Sequence, residues 1–198
     1  KPTPWLTERH GYDPTYVRSV FKLKVYPIFN KDYQDKFKMY LKATSTRDYL
    51  IYLIGTTTGL RVSDIVKLKV TDISKGFINV VEQKTGKTKR CKLNQELKEL
   101  LNSYIKGLKG VYLLPTRQSS HISTRQVQRI IKKVAEKLGI AENINSHSLR
   151  KTYAYNLYNV SNNNIALVME ALNHSKESIT LKYLCIGQSL LDSYTDLL

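Results

Sequence analysis

The chain is poor in the residues that staple small proteins together or hold metals. Its 198 residues include only two cysteines, Cys91 and Cys185. They lie far apart in sequence and match no zinc-ligand spacing, so neither a disulfide framework nor a metal site is indicated, and no cofactor is expected. Such cysteine usage fits a reducing cytoplasm. Long apolar runs are also missing, so no segment is expected to cross a membrane. No signal peptide opens the chain, and its first residue is Lys1 and not Met, as expected of a trimmed or processed fragment. Acidic residues are scarce: 16 Asp and Glu stand against 32 Lys and Arg, for a net charge of +16. An excess of that size calls for a polyanionic partner, either nucleic acid or an anionic membrane surface. A membrane-surface protein concentrates its charge on one basic amphipathic helix. Here the charge is spread over several elements, which favours nucleic acid. The sequence has no aromatic motif of the kind that stacks single-stranded bases, so RNA is the remoter partner.

What is present is a core-forming sequence. Hydrophobic residues make up 41% of the chain, enough for a globular body of one or at most two domains. Residues 1–27 carry Pro2, Pro4, Pro14 and Pro27 among aromatics of no clear period, and read as a linker or arm with at most one short helix. Beyond them the patterning is clear. Asn30 is placed to cap a helix with Tyr33, Phe37, Tyr40 and Leu41 on one face. A second helix from Thr46 through Ile54 should stop before Gly59. Ser63, with Asp64 beside it, reads as the cap of a short third helix, which leaves Arg61 in a tight turn. Phe77 to Val81 and Thr88 to Leu93 read as two strands around the turn Lys84-Thr85-Gly86-Lys87. Helices are expected after Asn94, after Ser123 or Thr124 with Gly139 as its stop, and after Ser146. Asn162 to Asn164 should break the chain before a short helix from Ile165 to Leu172, ending at Asn173. A last amphipathic segment has Leu190, Leu191, Tyr194 and Leu197 on one side. The expected fold is mainly α with one small antiparallel β-sheet, an α+β class.

Several polar residues stand where rigid local structure would aim them. Arg61 follows a glycine-fixed turn, from which a guanidinium can offer its planar fork to two phosphate oxygens. His147 and Arg150 are three apart on one helix and share a face near its N-terminus, where backbone N–H groups favour anions. Lys84 and Lys87 sit at a hairpin tip, followed by Lys89 and Arg90, in a run dense in positive charge. His174 closes a helix, and Tyr183 comes nine residues later.

In that order, Arg61, Lys84, His147, Arg150, His174 and Tyr183 resemble the active site of the tyrosine recombinases, the phage-integrase family. The run Leu172-Asn173-His174-Ser175 is similar to that family's Leu-Gly-His-Ser, followed by tyrosine at the usual nine-residue step. Asn173 stands where glycine is common, a mild departure because Asn also tolerates the left-handed conformation. The resemblance covers residues 28–198 and implies a complete catalytic domain there. Residues 1–27 would be a linker to an N-terminal DNA-binding region that this chain has no room for. It further implies cutting and rejoining of double-stranded DNA through a 3′-phosphotyrosyl intermediate, without metal or cofactor. Arg61, Arg150 and His174 would hold the phosphate, His147 and Lys84 would move protons, and Asp64 would support Arg61. Lys87, Lys89 and Arg90 would contact DNA, and the protein would form a tetramer on DNA while remaining a monomer or weak oligomer when free. Two other readings share parts of this pattern: a non-catalytic DNA-binding regulator of the phage-repressor kind and a type IB topoisomerase. The poised tyrosine argues against the first, and the pair of histidines with the small size against the second.

Overall fold

The computed structural model describes residues 24–185. Within that span the chain forms eight α-helices and one small sheet. α1 (Lys31–Thr44) and α2 (Thr46–Thr58) are followed by a short α3 (Val62–Ile65) and a 3₁₀ turn (Val70–Asp72). β1 (Ile73–Ser74), β2 (Phe77–Val81) and β3 (Thr88–Lys92) form an antiparallel sheet in that order. α4 (Gln95–Lys106), α5 (Thr124–Lys137), α6 (Ser146–Val160), α7 (Ile165–Leu172) and α8 (Glu177–Leu184) complete it. The mainly helical, α+β expectation holds.

The helices begin where polar side chains satisfy their first N–H groups. Asn30 Oδ1 accepts from Asp32 N at 2.7 Å, Asn94 Oδ1 from Leu97 N at 2.9 Å, and Ser123 Oγ from Gln126 N at 3.2 Å. Two expected caps are displaced by one or two residues. Arg61, in extended conformation, is the N-cap of α3, and Ser63 and Asp64 lie inside that helix. Asn145 caps α6, its Oδ1 accepting from His147 N at 2.9 Å while its own N–H donates to Ser148 Oγ at 3.0 Å. Ser146 is therefore the first helical residue, because the amide of Asn145 reaches back to the helix more directly.

The core is organised around α2, which is buried on nearly every side from Tyr49 to Gly55. It packs against α1, α4, α5 and α6. A helix apolar all round can only be central. Tyr26, Pro27 and Ile28 are buried as well, and Ile28 N donates to Thr152 Oγ1 at 2.9 Å. The packed body thus takes in the end of the stretch read as linker, because Tyr26 and Ile28 supply apolar surface to the same core. A second, smaller cluster of Ala154, Val168, Leu172 and Leu184 joins α6, α7 and α8, with Tyr183 packed against it. The amphipathic segment around Leu190 to Leu197 lies outside the described residues. No described helix is long and apolar enough to cross a membrane.

α2 ends at Gly59, whose φ of 63° is left-handed. A Cβ there would meet the Tyr153 ring at 2.3 Å. Gly59→Ala therefore combines left-handed strain of about 1–2 kcal/mol with overpacking of about 1–3 kcal/mol. We expect a loss of at least about 2 kcal/mol, read as a thermal midpoint lowered by about 4–8 °C. An unchanged midpoint would contradict this account of the α2 terminus.

Candidate active site

Two helix C-termini build the floor of the site. α2 ends at Thr58 and Gly59, and α7 ends at Ala171 and Leu172, leaving carbonyls that no intrahelical N–H can reach. The Arg150 guanidinium donates through Nη1 to Gly59 O and through Nη2 to Leu172 O at 2.7 Å. Lys89 Nζ takes the neighbouring pair, Thr58 O at 3.2 Å and Ala171 O at 2.7 Å. Two cations thus satisfy the negative ends of two helices. Arg150 is only 2% exposed. Burial pushes its pKa down, opposed by the nearby Tyr183 and Glu82. Burial also leads the lowering of Lys89.

Arg61 enters from the α2–α3 corner, and its Nη1 lies 2.8 Å from Glu82 Oε1. Arg150 Nη1 lies 3.8 Å from the same oxygen. Glu82, at the end of β2, is wholly buried. Its Oε2 accepts from Thr85 Oγ1 at 2.8 Å and from Asn173 Nδ2 at 3.2 Å. Burial pushes the Glu82 carboxyl up, and the bonds from Thr85, Arg61 and Asn173 with the Arg61 charge more than offset it, so it stays ionised. Glu82 was not among the residues singled out by the sequence. The signal available was a carboxylate two residues before Lys84 in an otherwise basic hairpin.

Tyr183 sits on the same floor. α8 turns back along α7 because Asn173, at φ 54°, reverses the chain after Leu172. That brings the Tyr183 ring to 5.0 Å from the His174 ring, edge to face. The Arg150 Cζ is 6.0 Å from the Tyr183 ring centre and Lys151 Nζ is 5.4 Å away. Lys151, also passed over in sequence, donates to Val25 O at 2.8 Å and lies 3.5 Å from Cys185 Sγ. His174 Nδ1 is 3.0 Å from Thr180 Oγ1. Burial, then the charges of Arg150 and Arg61, push the His174 pKa down to about 4. His147 stands at the surface on the first turn of α6. Partial burial lowers its pKa, and Lys151, Arg150, Arg61 and Lys84 lower it further. Both imidazoles are neutral at neutral pH.

The remaining candidates divide. Lys84 and Lys87 are exposed around the hairpin turn, and the field of Lys84 reaches His147. Lys89 faces inward, with its ammonium held by the two carbonyls above. Arg90 lies over the Phe77 ring at 3.7 Å on the outer face. Asp64 was expected to support Arg61, but its Oδ1 accepts from Gln83 N at 3.0 Å and so holds the base of the hairpin. The carboxylate paired with Arg61 is Glu82.

Arg61 and Arg150 thus converge on one buried carboxylate, with the His174 imidazole and the Tyr183 phenol ring packed beside Arg150 in the same chain. Residues 30–187 match the phage integrase family, and the chain belongs to that family. It is 35% identical over 167 residues to "Probable integrase/recombinase YoeC" of Bacillus subtilis (strain 168), with 83% of this chain and 91% of that protein covered. A tyrosine recombinase of Pseudothermotoga lettingae is 34% identical over 158 residues, covering 77% of this chain. The chain spans 54% of that longer relative. Among solved structures, XerA recombinase superposes with a TM-score of 0.72 at 21% identity, covering 97% of this chain and 79% of that one. A lambda integrase tetramer bound to a Holliday junction gives 0.67 at 19% identity, covering 81% and 48%. At those identities the structural likeness is one of fold.

The depressed His174 has a consequence for stability. Its folded pKa of about 4 lies below the ordinary 6.5. Between those values the unfolded chain binds a proton that the folded chain refuses, so stability rises with pH across this window and levels off above it. His147 acts in the same direction. Urea midpoints should climb from about pH 4 to about pH 6.5, and His174→Gln should flatten that climb. An equally steep climb in His174→Gln would show that another group governs it.

Proposed function

We propose that this chain is the catalytic part of a site-specific DNA recombinase or integrase, with residues 28–198 as the catalytic unit. The observation that carries the reading is the Tyr183 ring packed beside His174 and near Arg150 in the same chain. Free tyrosine has a pKa near ~10 and is a weak nucleophile at neutral pH. It needs a phosphate already held and a route for its proton. Arg61, Arg150 and His174 would hold the non-bridging oxygens and offset the charge of a five-coordinate transition state. In this role the Thr180 hydroxyl donates to His174 Nδ1, leaving Nε2–H for the phosphate. His147, kept neutral by its surroundings, takes the phenol proton as Tyr183 attacks phosphorus. Lys84, on the hairpin tip, gives a proton to the departing 5′-oxygen. The 3′-phosphotyrosyl bond formed conserves the energy of the phosphodiester broken, so a second 5′-hydroxyl can reverse the step without ATP.

Double-stranded DNA is the proposed partner. The +16 charge supports it, since phosphate neutralisation supplies most of non-specific affinity. Lys87 and Arg90 are the hairpin cations exposed for backbone contact, while Lys89 is committed to the fold. Self-association on DNA, as a tetramer, belongs to the same proposal.

Incubation with a nicked suicide duplex should yield a covalent protein–DNA adduct. Tyr183→Phe should form none while binding DNA as the unaltered chain does. An adduct that persists in Tyr183→Phe would remove Tyr183 from the role. Adduct formation should also proceed in EDTA, and a metal requirement would count against the mechanism. Replacing Arg150 by Ala should slow the adduct step by about 10²–10³-fold. A repressor-like protein would instead bind its site and form no adduct in any variant.

A further inference from the structure

We infer that Glu82 is the positioning residue that sets both arginines, the lysine hairpin and the histidine corner in one arrangement before DNA arrives. This rests on the recombinase reading and deepens it. The Glu82 carboxylate is wholly buried and touches four separate parts of the fold. Oε1 faces Arg61 at 2.8 Å and Arg150 at 3.8 Å. Oε2 receives Thr85 at 2.8 Å, next to Lys84, and Asn173 at 3.2 Å, next to His174. Its backbone closes the same turn, with Gly86 N donating to Glu82 O at 2.8 Å and Glu82 N to Lys87 O at 3.0 Å. One carboxyl group therefore contacts the carrier of every cation proposed to hold or protonate the phosphate.

Simple neutralisation of a buried arginine explains less of this. Neutralisation needs a carboxylate on Arg150, yet the closer partner is Arg61, and Arg150 has two carbonyls besides. The two neutral donors are also unnecessary for neutralisation. Asn173 is informative because its φ of 54° suits glycine best. An amide there reaches Glu82, which glycine cannot do. Two guanidiniums near one point repel each other until an anion joins them. Glu82 supplies that anion within the fold, so the two guanidiniums are held together before a phosphate is present. Positioning of this kind acts on rate, since a misplacement of about 1 Å costs about 10²-fold.

The test uses the full chain and a nicked suicide duplex. Glu82→Gln keeps the shape and removes the charge, and Thr85 and Asn173 can each turn to accept from the new amide. Its single-turnover adduct rate should fall by about 10–100-fold, with DNA affinity equal or tighter and the thermal midpoint near that of the unaltered chain. In an Arg61→Ala background the same substitution should cost less, because the part of its effect that runs through Arg61 is already gone. Asn173→Gly is expected to slow the adduct severalfold with no loss of stability, and it covers the case in which Glu82→Gln fails to fold. Amide exchange without DNA should quicken at residues 82–87 and 172–175 in both variants, a readout independent of chemistry. Unaltered adduct rates in both variants, or the same fold-loss with and without Arg61, would overturn the inference. No adduct from the unaltered chain would instead sink the recombinase reading, and unaltered amide exchange would then sink the positioning role on its own.

Discussion

Arg150 is the tie on which the arrangement depends. A fully buried guanidinium costs several kcal/mol in desolvation unless its donors are met. Here they meet the last carbonyls of α2 and α7, where helix dipoles already concentrate negative charge. One side chain thereby fixes the corner carrying Arg61 to the corner carrying His174. Lys89 repeats the device one residue earlier on each helix. Without this pair, two helix ends would lie buried with unmet acceptors, and the shelf of α7 and α8 would lose its main charged ties to the core beneath it.

The same geometry accounts for the electrostatics. Arg61, Arg150 and Lys89 crowd around Glu82, so the centre keeps a net positive charge even with its internal carboxylate. Such a field disfavours a proton on either imidazole. Burial leads the lowering of both His174 and His147, and the neighbouring positive charges add to it. A neutral imidazole can donate to phosphate or accept from a phenol. A charged one could do only the first.

Much of this was legible in the sequence where local chemistry decides. Asn30, Asn94, Ser123, Gly59 and Asn173 mark helix ends through backbone rules that need no tertiary knowledge. The order of Arg61, Lys84, His147, Arg150, His174 and Tyr183 pointed to a candidate site through likeness to a family. What stayed hidden was decided by contacts across the chain. Glu82 carried little local signal because its partners lie up to 91 positions away. Lys89 looked like surface charge for the same reason. The cap of α6 fell to Asn145 and not Ser146, a choice between neighbours that only geometry makes. Tyr26 and Pro27 looked like linker because a short buried segment carries no periodicity.

Strand β3 alternates strictly between its two faces. Cys91 is buried and Lys89 turns the same way, while Thr88, Arg90 and Lys92 face out. Sliding this strand by a single position would swap the two faces, sending Arg90 beneath the sheet and Lys89 into water. The carbonyls of Thr58 and Ala171 would lose their donor, and the Lys84 turn would shift with the slip. The inward ammonium is thus a ratchet tooth: it denies the hairpin any neighbouring alignment and fixes where its tip stands.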